Sequence, residues 1–277
     1  MSLIQWYPGH IAKAERQLKN GLKLVDVVLE VIDARVPLAS QHPQVKEWIG
    51  EKPRILVLNR LDMIPESVRQ QWITWFKNRG QTPYFTNAKA GEGIKPILKA
   101  AQTVGSEINE KRKSRGMLPR PVRAVVIGFP NVGKSALINR LLGRKVVASA
   151  RRAGVTRQLQ WVKISDTLEL LDAPGVIPSR LYNQDDAVKL AICQDIGDAG
   201  YDDQRITAVF VDLVIGLGYE GALESRYGLS TGTMTGEDYI EELGRKSYQG
   251  DKQRATMQIL NDFRKGVLGA IPLELPR

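Results

Sequence analysis

Eight residues, Gly128-Phe129-Pro130-Asn131-Val132-Gly133-Lys134-Ser135, have the types and spacing to hold the phosphates of a nucleotide. Glycines let backbone N–H groups turn inward around an anion, and a helix that starts at the end of the loop points its positive pole at the charge. In a Gly-x4-Gly-Lys-Ser loop the lysine reaches the β- and γ-phosphates and the serine hydroxyl binds Mg²⁺. Lys134 takes the first role here and Ser135 the second, with Asn131, Val132, Gly133 and Ala136 completing the cradle. Asp172-Ala173-Pro174-Gly175 lies 38 residues beyond Lys134. Asp172 would hold Mg²⁺ through water, and the Gly175 N–H would sense the γ-phosphate. Between them Thr156, in Gly154-Val155-Thr156-Arg157, offers a second hydroxyl to the metal. Its Gly-rich, basic flanks suit a mobile switch.

A second constellation reads a base. Guanine presents N1–H and N2–H₂ on one edge, and a fixed carboxylate accepts both. Asp62 in Asn59-Arg60-Leu61-Asp62 is placed for that task, and Asn59 would tie the turn to its neighbours. A site built on such bonds rejects adenine strongly, because a carboxylate would be left unpaired. The usual motif has Lys where this chain has Arg60, whose stem can still lie over the ring and whose guanidinium can stack. Asn87-Ala88-Lys89 matches the loop whose alanine N–H meets guanine O6. In most guanine-nucleotide proteins the phosphate loop precedes the base motif. Here it follows, so the order of the pocket's parts is circularly permuted.

The elements that must position these groups are legible as short apolar runs. Val25–Ile32, Ile55–Leu58, Pro83–Phe85, Val122–Ile127 and Leu168–Leu171 each end at a motif or a polar turn, and helical stretches 65–79, 93–112 and 134–142 lie between them. The alternation predicts an α/β fold with a mostly parallel sheet whose ligands bind at the carboxyl ends of the strands. Residues 110–123, with six basic residues, Gly116, Pro119 and Pro121, read as a linker. After about 183 the strand runs stop, and 183–198, 204–217, 236–246 and 251–265 read as helices. The expected organisation is a nucleotide-binding domain over 1–180 and an all-α domain over 181–277.

Composition narrows the partners. The 277 residues carry a net charge of +10, with 30 Lys/Arg against 14 Asp/Glu in 1–180 and 10 against 16 in 181–277. A basic first part argues for a polyanionic partner, nucleic acid above all. Its candidates are Lys13 and Arg16 on the first helix and Lys111, Arg112, Lys113 and Arg115 in the linker. In the acidic second part, RNA contact would be local, at Arg245, Lys246, Arg264 and Lys265. One cysteine, Cys193, permits no internal disulfide, and His10 and His42 alone make no zinc cluster. No apolar run approaches membrane-spanning length, and no signal or lipidation pattern is present. A cytoplasmic protein, or one of an organellar matrix, is expected, as a monomer without membrane attachment.

With the order base motif, base loop, phosphate loop, threonine switch, Asp-x-x-Gly, the chain resembles the YlqF/RbgA family of circularly permuted GTPases. Trp6-Tyr7-Pro8-Gly9-His10-Ile11-Ala12-Lys13-Ala14, Asp33-Ala34-Arg35-Val36-Pro37, Pro130-Asn131, and Gly244-Arg245-Lys246 with Phe263-Arg264-Lys265-Gly266 carry the resemblance along almost the whole chain. It implies a permuted Ras-like fold, GTP and GDP as ligands, GTP hydrolysis, and work in late maturation of the large ribosomal subunit. It also implies a helical domain that contacts rRNA. Many GTPases place Gln after Asp-x-x-Gly to orient the attacking water, whereas this chain has Val176. The resemblance points to His10 for that role and to Asn131 as a ligand for K⁺. Val176 also leaves open a GTP-gated adaptor that hardly hydrolyses; Asp62 argues against a general P-loop ATPase.

Overall fold

The structure is a computed structural model that describes residues 8–143, 160–172, 183–196 and 201–276, and of residues 8–14, 160 and 172 only the backbone. Six strands form one sheet: β1 (Val27–Asp33), β2 (Arg54–Asn59), β3 (Pro83–Thr86), β4 (Val122–Ile127), β5 (Gln160–Ser165) and β6 (Leu168–Asp172), in the order β3-β2-β1-β4-β6-β5. All neighbours are parallel except β5 and β6. The strands before the phosphate loop lie on one side of β4, and those after it on the other. Moving β1–β3 to the end of the chain would give an ordinary GTPase sheet, which is what circular permutation means in space.

Side-chain alternation assigns the two faces. Val28, Val125, Ile127 and Leu171 pack under α1 (Pro8–Leu22) and α2 (Val45–Ile49), with Leu18, Leu22, Val45 and Ile49 in the same cluster. Ile32, Leu56 and Leu58 pack under α3 (Glu66–Lys77) against Trp72 and Phe76. The residues between them, Val27, Leu29, Val31, Ile55, Val57, Ala124 and Val126, join the cluster that includes Ile97 and Ala101 of α4 (Ile94–Lys113) and Leu137 and Ile138 of α5 (Lys134–Leu142). A period of two on every central strand thus covers both faces with helices.

Beyond the sheet run α6 (Gln184–Cys193), α7 (Asp203–Gly216), α8 (Glu220–Tyr227), α9 (Gly236–Ser247) and α10 (Lys252–Lys265). Phe210 of α7 and Phe263 of α10 meet with ring centroids 4.6 Å apart, and Tyr239, Ile240 and Leu243 of α9 are fully buried beside them. This apolar cluster is continuous with that of the sheet.

Several elements differ from expectation. Lys111–Lys113 belong to the last turn of α4 rather than to a linker, where three cations complement the helix dipole. The non-helical connection to β4 begins at Ser114. α6 stops at Cys193, short of 198, because Gln194 turns left-handed as its C-cap. α2, α8 and β5 were not expected. α8 buries a single residue, Leu223, and β5 is an edge strand with Gln160 and Lys163 interrupting its apolar residues.

Candidate functional site

The phosphate loop leaves β4 at Gly128, whose φ of 147° and close approach to β1 both require glycine: a Cβ there would lie 2.1 Å from the Val31 carbonyl oxygen. At the far end Gly133, with φ 103°, starts α5; a Cβ there would lie 2.0 Å from Asn59 Nδ2. Lys134 is buried, and its Nζ donates to the carbonyls of Phe129 at 2.8 Å and Gly128 at 3.3 Å. Its ammonium is folded onto the loop it would leave for a phosphate. Ser135 and Ala136 are half-buried in the first turn of α5. Asp172 ends β6 and pairs with Val126, two residues before Gly128, so its backbone stands beside the loop. Ser135, in the helix that follows β4, and Asp172, at the end of the neighbouring β6, thus belong to adjacent segments of the sheet. Thr156, Gly175 and Val176 lie outside the described residues, as do Trp6, Arg151, Arg152 and Arg157.

The base turn reaches the same place from β2. Asn59 is its hub: Nδ2 donates to the Val132 carbonyl at 2.8 Å, while Oδ1 accepts from the Ala88 N–H at 3.0 Å. One buried amide therefore ties the base turn to the phosphate loop and the base loop, three segments from distant parts of the chain. Asp62 follows in a 3₁₀ turn (Leu61–Met63) and is exposed, open to a base edge. Asn87 fixes its own loop by accepting from the Ala90 N–H at 3.0 Å, and Lys89 is exposed. Arg140 of α5 donates to the carbonyls of Ala88 and Lys89 and braces that loop from the phosphate side. Arg60, with φ 68°, donates Nη2 to the Asn131 carbonyl at 2.9 Å and brings Nε within 3.0 Å of Asp33 Oδ2. Its guanidinium is thus turned towards the phosphate loop and β1.

A buried polar seam joins this pocket to the helices. Arg35 is fully buried and grips Asp33 with Nε at 2.9 Å and Nη2 at 2.7 Å. It also donates to the Cys193 carbonyl at 3.3 Å and lies over the Phe263 ring. Its own carbonyl accepts from the N–H groups of Leu273 and Glu274, and the Glu274 carboxylate accepts in turn from Leu38 and Ala39. Burial alone would raise the Asp33 carboxyl, but the Arg35 and Arg60 charges outweigh it and hold it below its ordinary range. Asp195 lies in the same seam, and burial together with the Asp33 charge pushes its carboxyl well above that range. Sequence reasoning missed Arg35, Arg140, Gln194 and Asp195 as parts of the site. Asp33-Ala34-Arg35-Val36-Pro37 was a signal for the seam, but its role depends on partners 158 residues or more away.

The basic candidates divide. Arg16, Lys111, Lys113, Arg115, Arg245, Lys246 and Lys265 are exposed. Lys113 and Arg245 pair with Glu110 and Glu242 three residues earlier, and Lys246 reaches the Gly228 carbonyl. Arg112 is spent on the Leu118 carbonyl, and Arg264 on those of Ala191 and Ile192. The side chains of His10 and Lys13 lie outside the described part. Among the described residues no single helix is long and apolar enough to cross a membrane.

Comparison with known proteins bears on the same architecture. A family model described as 50S ribosome-binding GTPase matches residues 123–214, starting within β4. The chain is 37% identical over 280 residues to the ribosome biogenesis GTPase A of Bacillus cereus, covering 99% of this chain and 94% of the relative. The corresponding protein of Thermotoga maritima is 30% identical over 99% of this chain. A GDP-bound YlqF structure from T. maritima superposes with a TM-score of 0.68 at 28% identity, covering 94% of this chain and 99% of the other.

Proposed function

The chain belongs to the ribosome biogenesis GTPase A (YlqF) family of circularly permuted GTPases, and from that premise we propose that it hydrolyses GTP to GDP and phosphate to time a late step in assembly of the large ribosomal subunit. The observation that carries the reading is the Asn59 hub. It holds a guanine-reading turn and a phosphate loop in one pocket although the chain order is inverted. Residues 1–180 form the nucleotide domain and 181–277 the helical domain that meets rRNA. The protein works as a monomer in the cytoplasm or an organellar matrix, without membrane attachment.

Each group has a task. Asp62 selects guanine, assisted by the Ala88 N–H. Lys134 exchanges the Phe129 carbonyl for the β- and γ-phosphates. GTPases require Mg²⁺; Ser135, Asp172 and Thr156 are the residues that would hold it, and it would supply charge neutralisation for the phosphates. Gly175 senses the γ-phosphate. Asn131 would hold K⁺, which would offset charge developing on the phosphates. Water attacks the γ-phosphorus as the bond to the GDP oxygen breaks. Val176 cannot orient that water, and His10 is the group suited to do so, being both donor and acceptor near pH 7. Backbone geometry supports this choice. α1, about 22 Å long by its 15 residues, matches the length of β1, and the turn 23–26 folds it back along the sheet. Its first turn, with His10, therefore lies towards the carboxyl edges of the strands.

The test is GTP turnover in K⁺ and Mg²⁺ with and without purified large ribosomal subunits. A large stimulation is expected, since docking would complete the water-positioning site. GTP binding with no stimulation would select the adaptor reading that Val176 favours. Equal rates in K⁺ and Na⁺ would remove the potassium role.

A further inference from the structure

Among the described residues four non-glycine positions have a left-handed backbone: Arg60 (φ 68°), Asn131 (59°), Gln194 (66°) and Gln249 (56°). Such positions cost on the order of 1 kcal/mol or more each and gather where geometry is over-determined. Three of these four form one relay. Arg60 donates to the Asn131 carbonyl at 2.9 Å, and Asn131 Nδ2 donates to the Gln194 carbonyl at 2.7 Å. Arg60 belongs to the base turn, Asn131 to the phosphate loop and Gln194 to the end of α6. The relay therefore runs from the guanine side of the pocket, through the phosphate loop, into the helical part.

Its helical end is poised rather than saturated. Asp195, next to Gln194, is fully buried, and neither carboxylate oxygen has a hydrogen-bond partner among the described residues. Donors stand close by: Arg35 Nη1 is likewise without a partner there, and the Arg60 and Lys134 charges act on the same carboxyl. The carboxyl groups of Asp33 and Asp195 and the Cys193 thiol approach within 4.8 Å of one another, but Arg35 and Arg60 already neutralise Asp33. Lys134 is the residue whose ammonium must move when phosphates arrive.

We propose that the Gln194–Asp195 turn is a positioning element for the nucleotide, holding Asn131 and the phosphate loop so that nucleotide binding and the seating of α6 are one coupled equilibrium. This rests on the pocket binding guanine nucleotides. Coupling is reciprocal: if the turn sets nucleotide affinity, nucleotide must stabilise the turn by the same factor.

The experiment uses the full chain and two substitutions at one position. Gln194→Gly keeps the carbonyl and suits the left-handed backbone. Gln194→Val disfavours that backbone and displaces the carbonyl. Fluorescent GDP and a non-hydrolysable GTP analogue are titrated onto each, and amide hydrogen exchange at 190–195 is followed with and without nucleotide. Gln194→Val is expected to bind at least about fivefold more weakly, the lower end of typical coupling, and Gln194→Gly to lose less affinity than Gln194→Val. Nucleotide should slow exchange at 190–195 in wild type. Gln194→Val with a lowered melting temperature but wild-type nucleotide affinity would reduce the turn to a structural cap and overturn the coupling. Should that variant not fold, unchanged exchange at 190–195 in nucleotide-saturated wild type would overturn it equally. Wild type that bound neither nucleotide would instead overturn the GTPase reading itself.

Discussion

In the proposed reading Asp62 selects the base, since nothing else in its turn is able to accept both guanine donors. Asp62→Asn should lower the preference for GTP over ATP by about 100-fold or more, read by competition for a fluorescent nucleotide. Arg60 is the one departure in the motif, and its contacts show what the change supplies. A guanidinium spans the Asn131 carbonyl and Asp33 together, whereas an ammonium is a single point charge. Behind the phosphate loop, His42 gives a test of packing. It stacks near Trp48 and Phe129, its Nδ1 accepts from the Gln44 N–H, and Glu15 and Lys19 of α1 are the charges that face it. Burial lowers its pKa to about 4 from an ordinary 6.5. The folded state thus refuses a proton that the unfolded chain accepts. Stability is full above about 6.5 and is lost as pH falls towards 4. The His42 contribution, read by urea unfolding as the difference between wild type and His42→Gln, should fall by about 2 kcal/mol between pH 7.5 and pH 5, against the opposite trend from the raised Asp195 carboxyl.

Two close approaches decide how elements meet. Gly133→Ala would drive a methyl into the Asn59 amide, so nucleotide binding should fall at least about tenfold while circular dichroism stays native. Gly236, at the start of α9, sits against the α7 backbone; a Cβ there would lie 2.0 Å from the Ala208 carbonyl oxygen. Gly236→Ala should cost about 2–3 kcal/mol and lower the melting temperature by several degrees, without changing nucleotide affinity per folded molecule. Elements with a strong period were legible beforehand. The apolar runs ending at Asn59, Thr86 and Gly128 are strands, because burial on both faces leaves a continuous apolar signature. The placement of Asn59 and Lys134 could be read because each belongs to a local motif. The Arg35 seam and the Gln194 cap could not. Neither has a motif of its own, and each is defined by a carbonyl or ring brought from far along the chain.

For the whole molecule, charge separates the two parts more sharply than packing does. The apolar core runs unbroken from sheet to helices, yet the excess of Lys and Arg lies in 1–180. Binding to ribosomal subunits should therefore weaken steeply with salt. Replacing exposed Lys111 and Arg115 with Gln should reduce the log–log salt slope by about 1 for each phosphate no longer neutralised, as a sedimentation titration would record. The inverted order also has a consequence in time. A ribosome making this chain completes β1, β2 and β3 by Thr86, and Val122, where β4 begins, follows 36 residues later. At about 5–20 residues per second that interval lasts a few seconds. During it the base turn and base loop have been made, but Asn59 lacks its Val132 partner, the β1 edge that β4 will cover has no partner and no phosphate can be held. The newborn protein is therefore blind to GTP until its second half emerges, and the seam to the helices closes last of all.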